Sequence, residues 1–373
     1  MNKTRYTLTI VFTCVLIFGF SFWCWFKPME AYSDSERRPL ETFPTLNVDT
    51  ILSADFMNNF EGYTTDQFPL RDTFRGLKAF FVYNVFNQKD NNDIILKDGY
   101  LSKLEYPLNM ELLDNASNKF NYLYETYLKE NNHNIYFSII PDKNYFMVED
   151  DYLKLDYNLL VDTMKSNTSY MNYIDIFDLL SLQDYYHTDT HWKQENIIDI
   201  SNRLTQKMGF KQNETQYITN ILMGDNELPY GFKGVYTGQY GLPINDDMIY
   251  YLTNDTINNC IVTSLSSGKP VEIDMYNFDK AYGKDAYEMF LNGTEALITI
   301  ENPNANTDKE LILFRDSFGS SIAPLMVQYY SKITLVDIRY MDSKMIGNFI
   351  EFDDQDVLFL YSTILLNNSS AFK

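Results

Sequence analysis

The sequence predicts an α/β fold in which a mainly parallel sheet carries helices on both faces, preceded by one N-terminal transmembrane helix. The C-terminal third supplies the first observation. "ALITI" and "ELILF" read as strands, "SSIAPLMVQYY" as a helix, "KITLVDIRYM" as a strand, "MIGNFIEF" as helical and "DVLFLYS" as a last strand. Strands that are apolar throughout and alternate with short helices belong to parallel sheets covered on both sides. A second observation is "HNIYFSIIPDKNYF", where a buried-type strand from Ile135 to Ile140 ends at Pro141. The third is the uncharged run 7–26, "TLTIVFTCVLIFGFSFWCWF", about the length that spans a bilayer core as a helix.

The elements follow in chain order. Lys3 and Arg5 precede the apolar run, so the short tail is expected in the cytoplasm and the rest outside. "FKPMEAYSDSE" offers no clean small-residue cleavage site, which favours an uncleaved anchor over a signal peptide. Residues 27–50 are polar, with prolines and no period, and read as an extended stalk. "SADFMNNFEGY" and "QFPLRDTFRGLKAFFVYNVF" read as helices. In the second, Leu70, Phe74, Leu77, Phe81 and Val85 recur every three or four residues as one apolar stripe, expected to pack on the body of its own domain. "DIILKDGYLSKL" has an Asp98-Gly99 pair between apolar runs, a hairpin signal. Residues 109–130 and 157–166 read as helices, "NYIDIFDLL" as a strand, and "QDYYHTDTHWKQEN" (183–196) as a loop. Residues 192–208 form a helix with Ile197, Ile200, Leu204 and Met208 on one side, and 225–270 is irregular with short strands. The expected organisation is a tail and signal anchor over 1–26, a stalk and helical segment over 27–92, and the α/β domain over 93–373.

Composition narrows the setting. The 347 residues beyond the apolar run can bury a large core. Two of the three cysteines lie in that run, so the exported part has only Cys260 and no internal disulfide. This suits a bacterial cell envelope. Apart from Lys3 and Arg5, 28 of the 30 basic residues stand against 51 acidic ones, a net charge of −23. Such a surface repels phosphate backbones and argues against nucleic acid as a partner. Polyanionic glycans are also disfavoured at long range, but screening lets a local cationic groove accept one.

Two stretches carry chemistry. In "LILFRDSFGSS" (311–321) an apolar strand runs into Arg-Asp-Ser-Phe-Gly and then a helix, the place beyond a strand's carboxyl end where open α/β sheets bind ligands. A serine there can present its hydroxyl near backbone N–H groups, but it needs a base to become nucleophilic. The chain has three histidines. His133 in "NNHN" reads as surface, whereas His191 has Asp189 two residues before it and Trp192 after it. Ser317, His191 and Asp189 are therefore the candidate catalytic triad, with the carboxylate orienting the imidazole. One rival takes His187, Asp189 and His191, on one face of an extended segment, as zinc ligands with Glu195 as a fourth. Another takes Asp189 and His191 as a buried hydrogen-bonded pair without catalysis.

These residues resemble a family. "SERRPLETFP", "FMNNFEGYTTDQFPLRD", "KDGYLSK", "IIPDKNYF", "YYHTDTHW", "FKGVYTGQYG", "LILFRDSF" and "ITLVDIRYM" together are similar to the DHHW proteins of Gram-positive bacteria. Those are relatives of alginate O-acetylation proteins with an SGNH-hydrolase-like domain. The naming tetrad stands here as Asp189-Thr190-His191-Trp192, and Arg315 replaces the glycine common before Asp-Ser in SGNH proteins. The resemblance implies acyl-ester chemistry on a cell-envelope polysaccharide, either O-acetyl transfer or ester hydrolysis, with no cofactor and no metal. Transfer implies an acyl supply from a membrane partner of the MBOAT type, because acetyl-CoA is cytoplasmic. It also implies a single-pass membrane location with the catalytic domain outside. A glycan-binding scaffold with a degenerate triad is the non-enzymatic alternative. Gly234 in "FKGVYTGQYG" is an oxyanion donor by resemblance, or a glycine required by loop geometry.

Overall fold

A computed structural model describes residues 2–131, 134–147, 153–212, 215–224 and 227–373, so His133 lies outside the described residues. The chain forms two compact units: Met1–Ile94 with Val235–Ile244, and Ile95–Gly234 with Asn245–Lys373.

In the first unit, α1 (Asn2–Phe26) is apolar and exposed along nearly its whole length. It is long and apolar enough to cross a membrane by length and composition. After a short helix at Val48–Leu52 come α2 (Asp55–Asp66) and α3 (Arg71–Phe80), and α3 continues as a wider helical turn over Phe81–Val85. The segment read as a stalk is pinned to the end of α2. Tyr32–Ser33 pairs with Arg38–Pro39, and the Arg38 guanidinium donates to both Asp66 oxygens at 2.6 and 2.8 Å. That ion pair holds the Asp66 carboxyl down at about 2. The apolar stripe is largely left open by its own unit, with the Phe74 ring meeting those of Phe20 and Phe68. Leu70, Phe74, Leu77, Phe81 and Val85 are all exposed, between 42% and 53%. The helix packs by another face, where Ala79 is fully buried and a Cβ on Gly76 would lie 3.0 Å from the Gly241 carbonyl oxygen. Periodicity marks an apolar face, and the small residues decide which face meets protein.

The second unit is built on one sheet. Its strands are β1 (Ile135–Ile140), β2 (Asn172–Tyr173), β3 (Ile261–Ser264), β4 (Val271–Ile273), β5 (Leu297–Glu301), β6 (Glu310–Arg315), β7 (Lys332–Val336) and β8 (Asp356–Ser362). Their order is β4-β3-β5-β7-β6-β8-β1-β2. From β7 to β2 all pairs are parallel, while β5, β3 and β4 extend the sheet by antiparallel pairs. Alternation along each strand feeds two cores. Leu311, Leu313, Leu358 and Leu360 pack with Ile200 and Leu204 of α6 (Ile198–Lys207) and Ile322 of α7 (Gly319–Met326). Ile312, Phe314, Val357 and Phe359 pack with Phe120 of α4 (Met110–Leu123) and Leu160 of α5 (Tyr157–Asn167). The sheet is therefore covered on both faces.

Several elements are shorter than the sequence predicts. "NYIDIFDLL" pairs only at Asn172–Tyr173, because the Asp175 carboxylate accepts the Phe177 N–H at 3.0 Å and turns the chain. "MIGNFIEF" yields one 3-10 turn, Ile346–Asn348, since Gly347 and Asn348 are poor helix formers. The Asp98-Gly99 pair behaves as read: both residues have positive φ, 51° and 83°, between Ile94–Lys97 and Tyr100–Lys103.

Candidate active site

Ser317 stands on the turn between β6 and α7. Asp316 fixes that turn, its Oδ1 accepting the Phe318 N–H at 3.0 Å and its Oδ2 the Ser362 N–H at the end of β8 at 2.8 Å. Ser317 is half-buried between buried neighbours, so the turn offers its hydroxyl to solvent. Arg315 is buried, with Nη1 3.6 Å from Asp337 and donating to the Asp316 carbonyl at 3.3 Å. A Cβ on Gly319 would lie 2.6 Å from the Arg315 Cβ. The large residue where SGNH proteins commonly have glycine is thus matched by a glycine facing it.

The histidine loop closes on itself, with Tyr185 bridging Trp192 and the Tyr186 N–H donating to the His191 carbonyl at 3.1 Å. Only beyond it does helix begin, as a 3-10 turn at Gln194–Asn196 and then α6. Within the loop the buried Asp189 Oδ1 lies 2.6 Å from His191 Nδ1 and accepts the His191 backbone N–H at 3.2 Å. His191 Nε2 is 2.8 Å from Ser317 Oγ. A carboxylate only accepts, so Nδ1 carries the proton and a neutral ring offers Nε2 as the acceptor for the serine hydroxyl. The structure thus brings together the three residues singled out in the sequence.

The imidazole sits between aromatic walls. Tyr287 stacks on it with ring centroids 3.7 Å apart and planes 4° apart, and Phe318 lies at 5.0 Å. The Tyr287 hydroxyl and the Trp192 indole N–H both donate to Ser321 Oγ, at 2.7 and 2.8 Å. Burial pushes the Tyr287 hydroxyl well up, so it stays a donor.

His187 goes elsewhere. Its ring stacks on Tyr100 at 4.1 Å, and its Nδ1 lies 3.1 Å from Asp247 Oδ1. Asp247 also accepts the backbone N–H groups of His187 and Thr188 at 2.8 and 2.7 Å. The zinc reading of His187, Asp189, His191 and Glu195 therefore fails on geometry. Among the described residues no three His, Cys, Asp or Glu side chains are grouped to hold a metal ion. Glu195 is pushed up to about 7 by burial, and its Oε2 has no hydrogen-bond partner.

Two further residues hold the loop. The buried Lys143, just past the end of β1, donates to the Tyr186 and His187 carbonyls at 3.0 and 3.2 Å. Burial pushes its ammonium down to about 7, while Asp189 and Asp247 pull the other way. The Gly234 N–H donates to Thr188 Oγ1 at 2.7 Å, and a Cβ there would lie 2.3 Å from the Asp189 nitrogen. That is the loop-geometry role, with the N–H already engaged. Lys143 stands in "IIPDKNYF", a signal the sequence did carry; Asp247, Tyr287 and Ser321 had none.

No protein-family model matches the sequence, and no curated protein matches it. Solved structures do. A DHHW family protein from Eubacterium siraeum is similar in fold, with a TM-score of 0.60 and 19% identity over 76% of this chain and 94% of its own. PatB1 of Bacillus cereus, solved with a sulfonyl adduct, has a TM-score of 0.58 and 19% identity, covering 74% of this chain and 97% of its own. PatB1 without the adduct gives 0.56 and 20%, over 73% and 96%. At this identity the likeness speaks for the fold alone, a mixed α/β domain.

Proposed function

We propose that this protein is a serine-dependent O-acyltransferase, acting with acetyl groups on a cell-envelope polysaccharide from the outer face of the membrane. The observation that carries this reading is the continuous chain from Asp189 through His191 to Ser317, a 2.6 Å link within the loop and a 2.8 Å link between residues 126 positions apart. In the first half-reaction His191 Nε2 takes the Ser317 proton while Oγ bonds to the acyl carbonyl carbon. The tetrahedral intermediate collapses, the donor oxygen leaves, and His191 returns the proton to it. In the second half a sugar hydroxyl gives its proton to His191 and attacks the acyl-serine, and Ser317 leaves as the protonated hydroxyl. Asp189 orients the ring and stabilises the imidazolium in both halves.

The turn also supplies a donor for the oxyanion. The N–H groups of Phe318, Gly319 and Ser320 are bonded to Asp316 Oδ1, the Asp316 carbonyl and the Ser317 carbonyl. The Ser317 N–H, which these three bonds do not occupy, is the donor we propose for a developing negative oxygen. The Tyr287 and Phe318 rings stand beside His191, and water held off the acyl-serine by such apolar surface would favour transfer over hydrolysis. Acyl groups would reach the site through a membrane acyltransferase of the MBOAT type, because the domain is cut off from acetyl-CoA. The motif resemblance to alginate O-acetylation proteins supports the same chemistry.

PatB1 is described with a sulfonyl adduct, and a sulfonyl fluoride is the matching probe here. Phenylmethylsulfonyl fluoride should add to Ser317 of the wild type and leave Ser317→Ala unmodified. A wild-type protein that stays unlabelled under prolonged exposure would favour the glycan-binding scaffold instead.

A further inference from the structure

The exposed stripe on α3 stands beside the helix that can cross the bilayer. The ring of Phe20 in α1 lies 5.4 Å from that of Phe68 and 5.7 Å from that of Phe74, and Phe68 and Phe74 lie 5.7 Å apart. Phe20 is six residues before the end of α1 at Phe26, about 9 Å along a helix axis. Helices that lie in a membrane interface bed their apolar face about 5–10 Å deep. We propose that α3 and the turn after it lie in the plane of the membrane, with Leu70, Phe74, Leu77, Phe81 and Val85 embedded in lipid around the C-terminal end of α1. The proposal rests on α1 crossing the bilayer and is independent of the chemistry at Ser317.

The polar margin of the stripe agrees with this placement. Arg71, Arg75 and Lys78 line one open cavity of about 970 Å³ together with Phe68 and Phe74. Arg71 and Arg75 are held by Glu36, Asp66 and Asp72, while Lys78 is exposed and donates to Asn92 at 2.9 Å. In a chain of net charge −21, three basic side chains within eight residues border an apolar face. The exposed Lys78 at that margin can lay its stem on hydrocarbon and raise its head to the phosphates. The face opposite is committed to protein through Ala79 and Gly76, which leaves the stripe to meet something else. A soluble partner would have to seat itself against rings already standing on a membrane-crossing helix. Lipid is there already.

The test uses the full chain with Cys14, Cys24 and Cys260 replaced by alanine, in vesicles of phosphatidylcholine and phosphatidylglycerol. A nitroxide is placed singly by Leu77→Cys, by Phe81→Cys, or, as an exposed control in the other unit, by Leu159→Cys, and power saturation reads collisions with oxygen and with a water-soluble nickel chelate. Positions 77 and 81 should favour oxygen several-fold more than position 159. Nickel access at 77 and 81 equal to that at 159 would overturn the proposal. So would labels immobilised and closed to both reagents, which would mean protein covers the stripe.

Discussion

In the α/β unit Leu311, Leu313, Phe314 and Phe359 are 1% exposed or less, whereas in the N-terminal unit Leu70, Leu77, Phe81 and Val85 are 42% or more exposed. The α/β unit also buries a polar cluster. Asp189, Thr188, Lys143, Gln194 and Arg315 lie buried in the α/β unit, each tied to partners around one loop and one turn. One unit thus spends apolar burial on a core able to hold a desolvated polar site. The other turns its apolar side chains outward along a helix touching α1. Apolar side chains therefore have two outcomes here, a closed core on the strands of one unit and an exposed stripe on a helix of the other.

Variants that break the polar network should show the largest effects. His191→Ala should lower acyl transfer from a synthetic acetyl ester by roughly 10⁴-fold or more. His187→Ala, whose ring is held by Asp247 and Tyr100, should stay within roughly tenfold of wild type. Equal losses in both, assayed on purified folded protein, would mean that the two histidines act together.

Stability measurements sharpen the contrast between the cores. Leu313→Ala should cost about 2–5 kcal/mol in chemical denaturation, the range for deleting a fully buried leucine side chain. Leu77→Ala in detergent should change stability by no more than about 0.5 kcal/mol, since its side chain is half exposed.

Glu195 gives a pH signature to the buried unit. Burial raises its folded pKa from 4.5 to about 7, so the folded state holds a proton that the unfolded chain has released between those values. Its contribution is most favourable below pH 4.5, is lost progressively as pH rises through about 7, and is flat above that. Glu195→Gln should remove this slope and stabilise the protein at pH 8 by at most about 3 kcal/mol. An unchanged slope between pH 5 and 7.5 would assign it to another group.

Much of the site was legible because histidine is scarce. With three in the chain, Asp189-Thr190-His191 and the serine after β6 stood out, and the apolar runs of β1, β6, β7 and β8 announced a parallel sheet. The supporting residues were not legible for an equally physical reason. Tyr287 is one of 30 tyrosines, and nothing local says that it stacks on His191 almost a hundred positions away. Asp247 is one acid among many until the fold brings it under His187 and Thr188. β5 was read as a strand but its antiparallel pairing was not, β3 and β4 were hidden in short strands of mixed polarity, and the stripe on α3 declared its face but not its environment.

The central claim is that Ser317 carries the acyl group, and mass spectrometry of the intact protein and its peptides tests it most directly. After incubation with an acetyl donor and no acceptor sugar, the peptide containing Ser317 should gain one acetyl group. That mass should disappear when acceptor is added, and it should never form in Ser317→Ala or His191→Ala. Acetyl transfer to acceptor that proceeds at the wild-type rate in Ser317→Ala, with no acetylated peptide at any time, would contradict the account.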